Sequence, residues 1–186
     1  MPPTVRAQVV DIRADTPKNS DRFLIDTNVW YWLYYSPASR TARSYQVSNY
    51  PAYIKKAIKA KSSLHCCALN FAELAHNIEQ AEREIHGASI GQQIKPKAFR
   101  HDACFSSQYA KIVTLIADTW ADICNVGTLL NMNLDSTFMQ SAITLFPSVG
   151  LDGYDLFMAE MALRNGISQI ITDDGDFATV PGITLF

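Results

Sequence analysis

Short apolar runs that end in a carboxylate or a polar turn alternate along this chain with longer stretches in which apolar residues recur every three to four positions. The run FLI, followed by Asp26 and then TNVWYWLYY, reads as a buried strand feeding directly into a helix. In NYPAYIKKAIKAK, Tyr50, Tyr53, Ile54, Ala57 and Ile58 fall at helical spacing while Lys55, Lys56 and Lys59 occupy other positions around the same helix. SLHCCAL is a second strand, and NFAELAHNIEQAEREIHG an amphipathic helix closed by Gly87. The polar stretch from Ala88 to Arg100, with Gly91 and Pro96, reads as a long connection. A helix then spans about Phe105 to Asn125, with a stripe of Tyr109, Ile112, Val113, Ile116 and Trp120.

Further on, TLLNMNL reads as a short strand and STFMQSAITLF as a helix stopped by Pro147. LDGYDLFMAEMALRNG is a helix that is apolar almost all round, which calls for burial against a sheet, and Gly166 ends it. SQIIT is a strand, DDGDF a turn and GITLF a terminal strand. This β/α alternation predicts an α/β fold: a three-layer α/β/α arrangement around a central, mostly parallel twisted sheet, with ligands bound at the carboxyl ends of the strands. Residues 1–22, with a short strand at RAQVVDI, read as an N-terminal extension, and 23–186 as a single domain with helical insertions around 40–61 and 88–125.

Composition narrows the picture. A chain of 186 residues that is 48% hydrophobic can bury one substantial core, and a formal charge of −2 carries no global signal of nucleic-acid binding, so any such contact is local. The four cysteines show no CxxC pair, and no apolar run has signal-peptide or membrane-spanning length. The expectation is a soluble cytoplasmic protein without a membrane association. No GxSxG elbow, Walker A loop, GxGxxG turn or HExxH pair is present.

The candidate chemistry is acidic. Asp26 ends the first strand of the alternation, Glu73 and Asp155 lie in the first turns of helices, and Asp173, Asp174 and Asp176 sit in the turn after SQIIT. Each has an ordinary structural reading as well: Asp26, Thr27 or Asn28 as a helix cap, Asn70 with Glu73 as a capping box, Asp152 as the cap of the helix carrying Asp155, and turn chemistry for DDGD. Capping explains Asp155 least well, because an ionised carboxylate in an apolar helix needs a cation or a full set of donors. No single structural reading explains why four acidic positions should stand at strand ends and helix starts of one sheet. Carboxylates gathered there stay ionised together only with a divalent cation, and oxygen-only ligands favour Mg²⁺ or Mn²⁺, the ions of phosphate-ester chemistry.

Taken in order, FLIDTNV, NFAEL, YDLFMAEMALRNG and IITDDGDF resemble the PIN-domain nucleases, including the VapC-type toxin ribonucleases of bacterial toxin and antitoxin pairs. Asp155 through Phe177 carries the most specific part of the likeness. The resemblance implies Asp26, Glu73, Asp155 and Asp174 as catalytic metal ligands, Asp176 as a further candidate ligand, and Asn28 and Thr172 as supports of the acidic site. It also implies a divalent-metal-dependent endoribonuclease acting on single-stranded RNA, with a protein inhibitor of antitoxin type or a homodimer as possible assemblies. The extensions depart from the compact toxins and put that cellular role in question.

Substrate contacts are expected from Arg40, Arg43, Lys55, Lys56, Lys59 and Lys61, interleaved with Tyr45, Tyr50 and Tyr53, which can track phosphates and stack bases. The competing reading of the same residues is a solvated amphipathic helix, and Lys95, Lys97, Arg100 and His101 are equally open. Two other functions stand beside the nuclease. In a haloacid-dehalogenase-like phosphatase Asp26 would be the nucleophile, though that family has a second Asp where Asn28 stands; in an inactive PIN-like module the fold would serve only for binding.

Overall fold

The computed structural model describes residues 4–186. Six strands form one sheet: β1 (Gln8–Val9), β2 (Arg22–Ile25), β3 (Ser63–Cys66), β4 (Thr128–Leu129), β5 (Gln169–Ile171) and β6 (Thr184–Leu185). Their order is β1-β6-β5-β2-β3-β4 and every neighbouring pair is parallel. Parallel strands need crossovers, and the chain supplies helices α1 (Thr27–Tyr34), α2 (Ser44–Ala60), α3 (Ala68–Ser89), α4 (Pro96–His101), α5 (Ser106–Val126), α6 (Ser136–Leu145) and α7 (Gly153–Arg164).

The three layers follow from the two-residue period of the strands. In β2, Phe23 and Ile25 join one core with Trp30 of α1, Tyr53 and Ile54 of α2, Leu74 and Ile78 of α3 and Ile123 of α5. Leu24 points the other way, into a second core with Phe138 of α6 and Leu156, Met158 and Ala159 of α7. β5 repeats the division, Ile171 facing the first core and Ile170 the second. The expected α/β/α sandwich is thus the fold of the chain.

The strand order also locates the chemistry. From β2 the chain moves outward through β3 and β4, whereas β5 and β6 lie on the opposite side of β2. Strand order therefore reverses between β2 and β5, and the carboxyl ends of these two strands flank the crevice that such a switch point opens. Asp26 directly follows β2, and Thr172, Asp173 and Asp174 follow β5.

Three local readings need correction. Gly87 lies inside α3, which continues to Ser89; a Cβ there would meet the Gln92 carbonyl oxygen at 2.5 Å, so the glycine serves a close backbone approach and not a helix end. The polar stretch after it holds α4, whose Phe99 is fully buried. α3 itself starts at Ala68 with Cys67 at its N-cap, and the capping box pairs Cys67 with Asn70, leaving Glu73 outside it. At the other end, β1 lies within the stretch read as an extension and hydrogen-bonds to β6; residues 1–3 of that stretch lie outside the described residues.

Replacing Gly87 by Ala is expected to destabilise the protein by about 1–3 kcal/mol, as overpacking does, despite the better helix propensity of Ala. Urea unfolding would report this as a lower midpoint with an unchanged slope; an unchanged or higher midpoint would contradict the close approach.

Candidate active site

Asp26 is the N-cap of α1 and almost fully buried, at 2% exposure. One carboxylate oxygen accepts the Thr27 backbone N–H at 2.6 Å, and the other accepts the Thr172 hydroxyl at 2.7 Å. Thr172 Oγ1 in turn accepts the backbone N–H of Asp174 at 2.9 Å. A single hydroxyl therefore ties the end of β2 to the turn after β5. Asp26 is thus a helix cap, and Glu73 and Asp174 stand near enough to act on its charge.

Glu73, half-buried one turn into α3, is held through Asn70 and Thr27, which the sequence offered only as capping residues. The Asn70 carboxamide accepts the Cys67 N–H at 2.8 Å and donates to Thr27 Oγ1 at 3.0 Å and to the Ile25 carbonyl at 3.3 Å. Thr27, fully buried, is the hydrogen-bonding neighbour that favours ionisation of Glu73. Asn70 thereby joins the end of β2, the start of α1 and the start of α3. Its place in NFAEL was visible in the sequence as a capping signal, but the partners across the sheet were not.

Asp152 caps α7, accepting the N–H groups of Tyr154 at 2.8 Å and Asp155 at 3.0 Å. This frees the Asp155 carboxyl from capping, and it stands partly buried in the first turn of α7. Of the acidic residues after β5, Asp174 is half-buried and acts electrostatically on Asp26, Glu73 and Asp155. Asp176 is exposed and only its backbone N–H engages the cluster, donating to Asp174 at 2.8 Å. Asp173 turns toward α2 instead. It accepts the hydroxyls of Tyr45 and Tyr50 at 2.9 Å and the Gln46 side-chain amide at 2.7 Å, fastening the start of that helix to this edge. Asn28 lines a cleft of about 380 Å³ here, with Trp32, Gln46, Asp173, Asp174 and Gly175.

Electrostatically the cluster is loaded. Burial pushes Asp26 up to about 7, with repulsion from Glu73 and Asp174 adding to it and the Thr172 and Thr27 hydrogen bonds opposing. Burial raises Asp155 to about 8, and Asp26, Asp152, Asp174 and Glu73 all repel its charge. Glu73 is raised for the same reasons, burial first, with His76 and Thr27 partly offsetting them. Among the described residues no three His, Cys, Asp or Glu side chains are drawn together tightly enough to hold an ion as they stand. The donor chemistry nevertheless fits a hard divalent cation: the donors are all oxygens, gathered from separate elements, and neighbouring carboxylates disfavour ionisation of Asp26, Glu73 and Asp155. Asp26, Glu73, Asp155 and Asp174 are the residues that would hold it.

The basic groups divide. Arg43 caps α2, beside the Gln46 that touches Asp173, and so stands at the acidic edge, whereas Arg40 ends a 3-10 turn and acts on Tyr35, at the end of α1 away from Asp26. Lys55, Lys56 and Lys59 lie roughly 15 to 21 Å further along α2, counting from Tyr45 at the helical rise, toward the opposite edge of the sheet. Lys61, the αL cap of α2, lies just before the entry to β3. The tyrosines do not interleave with them as stacking platforms. Tyr50 and Tyr53 are core residues, whose hydroxyls bond the Thr172 carbonyl and Asp173, and Asp15, respectively. Arg100 is paired with Glu79 at 2.9 Å, and Lys95, Lys97 and His101 are exposed on or beside α4.

A stability prediction follows from the raised carboxyls. The folded chain keeps protons on Asp26 and Asp155 up to about pH 7 and 8, whereas the unfolded chain releases them near 3.8. The folded state therefore binds more protons across that window, and stability falls as pH rises through it. In EDTA, the melting temperature is expected to be lower at pH 8 than at pH 5, and Mg²⁺ or Mn²⁺ at pH 8 to restore it. Asp155→Asn should flatten the dependence. A melting temperature that rises toward pH 8 in EDTA would contradict the repulsion.

Comparison with known proteins agrees with this fold. The model of the PIN domain matches residues 23–183. A chain of the crystal structure of VapBC2 from Rickettsia felis, bound to a DNA fragment from their promoter, is similar in fold at 11% identity and a TM-score of 0.50, over 88% of this chain and 96% of that one. No curated protein sequence matches the chain. The family match spans β2 to the residues just before β6 and so takes in every element that carries the acidic cluster; the chain belongs to the PIN-domain family.

Proposed function

We propose that this protein is a Mg²⁺- or Mn²⁺-dependent endoribonuclease that hydrolyses phosphodiester bonds of single-stranded RNA where Asp26, Glu73, Asp155 and Asp174 meet. The observation that carries the proposal is the convergence of these four carboxylates from β2, α3, α7 and the turn after β5, with burial and repulsion raising Asp26, Glu73 and Asp155 together. Such a gathering costs stability unless a cation compensates it, which is the mark of a site kept for chemistry.

A bound divalent ion supplies a water of lowered pKa and neutralises charge that builds on the phosphoryl oxygens. The chain's own residues prepare for this. Thr172 and the Thr27 N–H hold both Asp26 oxygens in one orientation, and Asn70 fixes Thr27 against Glu73 from below. Asp173 holds the start of α2, and with it Arg43, beside the cleft, where a guanidinium can receive the strand's phosphates. Asn28 and Trp32 line that cleft, offering an amide and an aromatic ring to the substrate.

The phosphatase reading loses its basis, because Asn28 stands where the second Asp would be and the PIN-domain match takes in every element that carries the acidic residues. We further infer a cytoplasmic protein controlled by a protein inhibitor of antitoxin type, as a toxin or an RNA-processing enzyme, with a homodimer as a possible assembly. The VapBC2 likeness is the motive for that part, and among the described residues no helix is long and apolar enough to cross a membrane.

Cleavage of labelled single-stranded RNA, with Mg²⁺ or Mn²⁺ and with EDTA, tests the proposal. Wild type is expected to cut only with metal; Asp26→Asn and Asp155→Asn should be inactive, and Thr172→Val slower by about 10–100-fold, as for groups that orient metal ligands. Asp174→Asn should lose activity and Asp176→Asn keep most of it. Equal activity of wild type and Asp26→Asn would sink the proposal and leave a binding module in its place.

A further inference from the structure

A second cavity, of about 480 Å³, opens beside the acidic edge. One wall is residues 9–13, a second is α2, and a third is the turn after β5. We infer that this cavity receives a nucleobase of the substrate strand, next to the phosphate at the acidic cluster; the inference rests on the reading of the site as a nuclease for single-stranded RNA.

Three observations point there. First, the cavity and the cleft beside Asn28 share Asp173, Asp174 and Gly175, so one short turn borders both and a strand laid across that turn would reach both. Second, the lining has the character of a base site. Val10, Ile12, Leu185 and the Phe186 ring give apolar surface, and Asn49 brings a carboxamide whose N–H groups, and the second lone pair of an oxygen that accepts the Ser48 hydroxyl at 3.2 Å, can pair with a base edge. A phosphate is poorly served here: Asp11 is on the same wall and already binds the Arg13 guanidinium at 2.8 and 2.6 Å. A metal ion gains nothing from the aliphatic surface. The volume lies within the range of about 300–1,000 Å³ typical of small-ligand pockets.

Third, the wall is built in advance. β1 pairs with β6, the Val10 N–H donates to the Leu185 carbonyl at 2.8 Å, and further along the segment Asp15 accepts the hydroxyl of buried Tyr53. The segment is thus tied on both sides of residues 11–14. These residues precede the stretch matched by the family model, so the cavity depends on chain that the match leaves out.

Backbone amide shifts in NMR spectra of the full chain, without added metal, test the inference. The probes are the four nucleoside 5′-monophosphates, with ribose 5-phosphate as the control that lacks a base. At least one nucleotide is expected to move the amides of Val10, Asn49 and Ala178 saturably, and ribose 5-phosphate to leave them in place. Asn49→Leu should weaken that nucleotide by about tenfold, the equivalent of one well-placed hydrogen bond, and leave the ribose 5-phosphate spectrum unchanged. A short single-stranded oligoribonucleotide should produce the same shifts at lower concentration. Identical responses to nucleotides and ribose 5-phosphate would overturn the site, as would nucleotide shifts that no oligonucleotide reproduces. The titration reads binding alone: RNA cleavage without base-dependent shifts removes the base site and leaves the nuclease standing, and base-dependent shifts without cleavage do the reverse.

Discussion

Asp26 has to be buried to end a central strand of a sheet covered on both faces, and a buried carboxylate resists ionisation unless something positive or proton-donating meets it. Here the donors are a backbone N–H and one threonine hydroxyl, and the nearest strongly interacting charges are other carboxylates. Much of the architecture near the switch point answers to this constraint. Thr172 spans the gap between β2 and β5, Asn70 spans that between β2 and α3, and Asp152 takes over the capping of α7 so that Asp155 is left to the cluster. The cluster is stable enough to exist because many hydrogen bonds fix its frame, and unstable enough electrostatically to favour a cation at its centre.

A division of labour among neighbouring aspartates follows. Asp173, Asp174 and Asp176 are close in sequence and do three things: Asp173 fastens α2, Asp174 faces the cluster, and Asp176 remains in solvent. Because Asp173 anchors the start of α2, Arg43 at that end shares the edge with the acids while the lysines are carried away along the helix axis. Positive charge beside the acidic edge is thus local, in keeping with a chain whose overall charge is close to neutral.

What the sequence disclosed, and what it concealed, divides along the range of the interactions involved. The two-residue and 3.6-residue periods gave the β/α alternation and hence the three layers, because those signals are local. Asp155 stood out for a similar reason, as a charge in a helix apolar on nearly every side. Contacts between distant segments left no such trace. Tyr50 and Tyr53 fitted both the apolar stripe of a helix and a base-stacking role among lysines; they are core residues, and their hydroxyls serve Asp173 and Asp15. Gly87 looked like a helix end because glycine often is one, whereas its function is to admit the Gln92 carbonyl. Asn70 and Thr27 carried a capping signal at most, and only the sheet order shows that they meet.

The most direct test of the acidic cluster as a divalent-cation site is an anomalous difference map from a crystal of the protein soaked in Mn²⁺. The expected result is a peak among Asp26, Glu73, Asp155 and Asp174, with Asp176 remote from it. A map with no peak among these carboxylates, at a concentration of Mn²⁺ that supports RNA cleavage, would contradict the site.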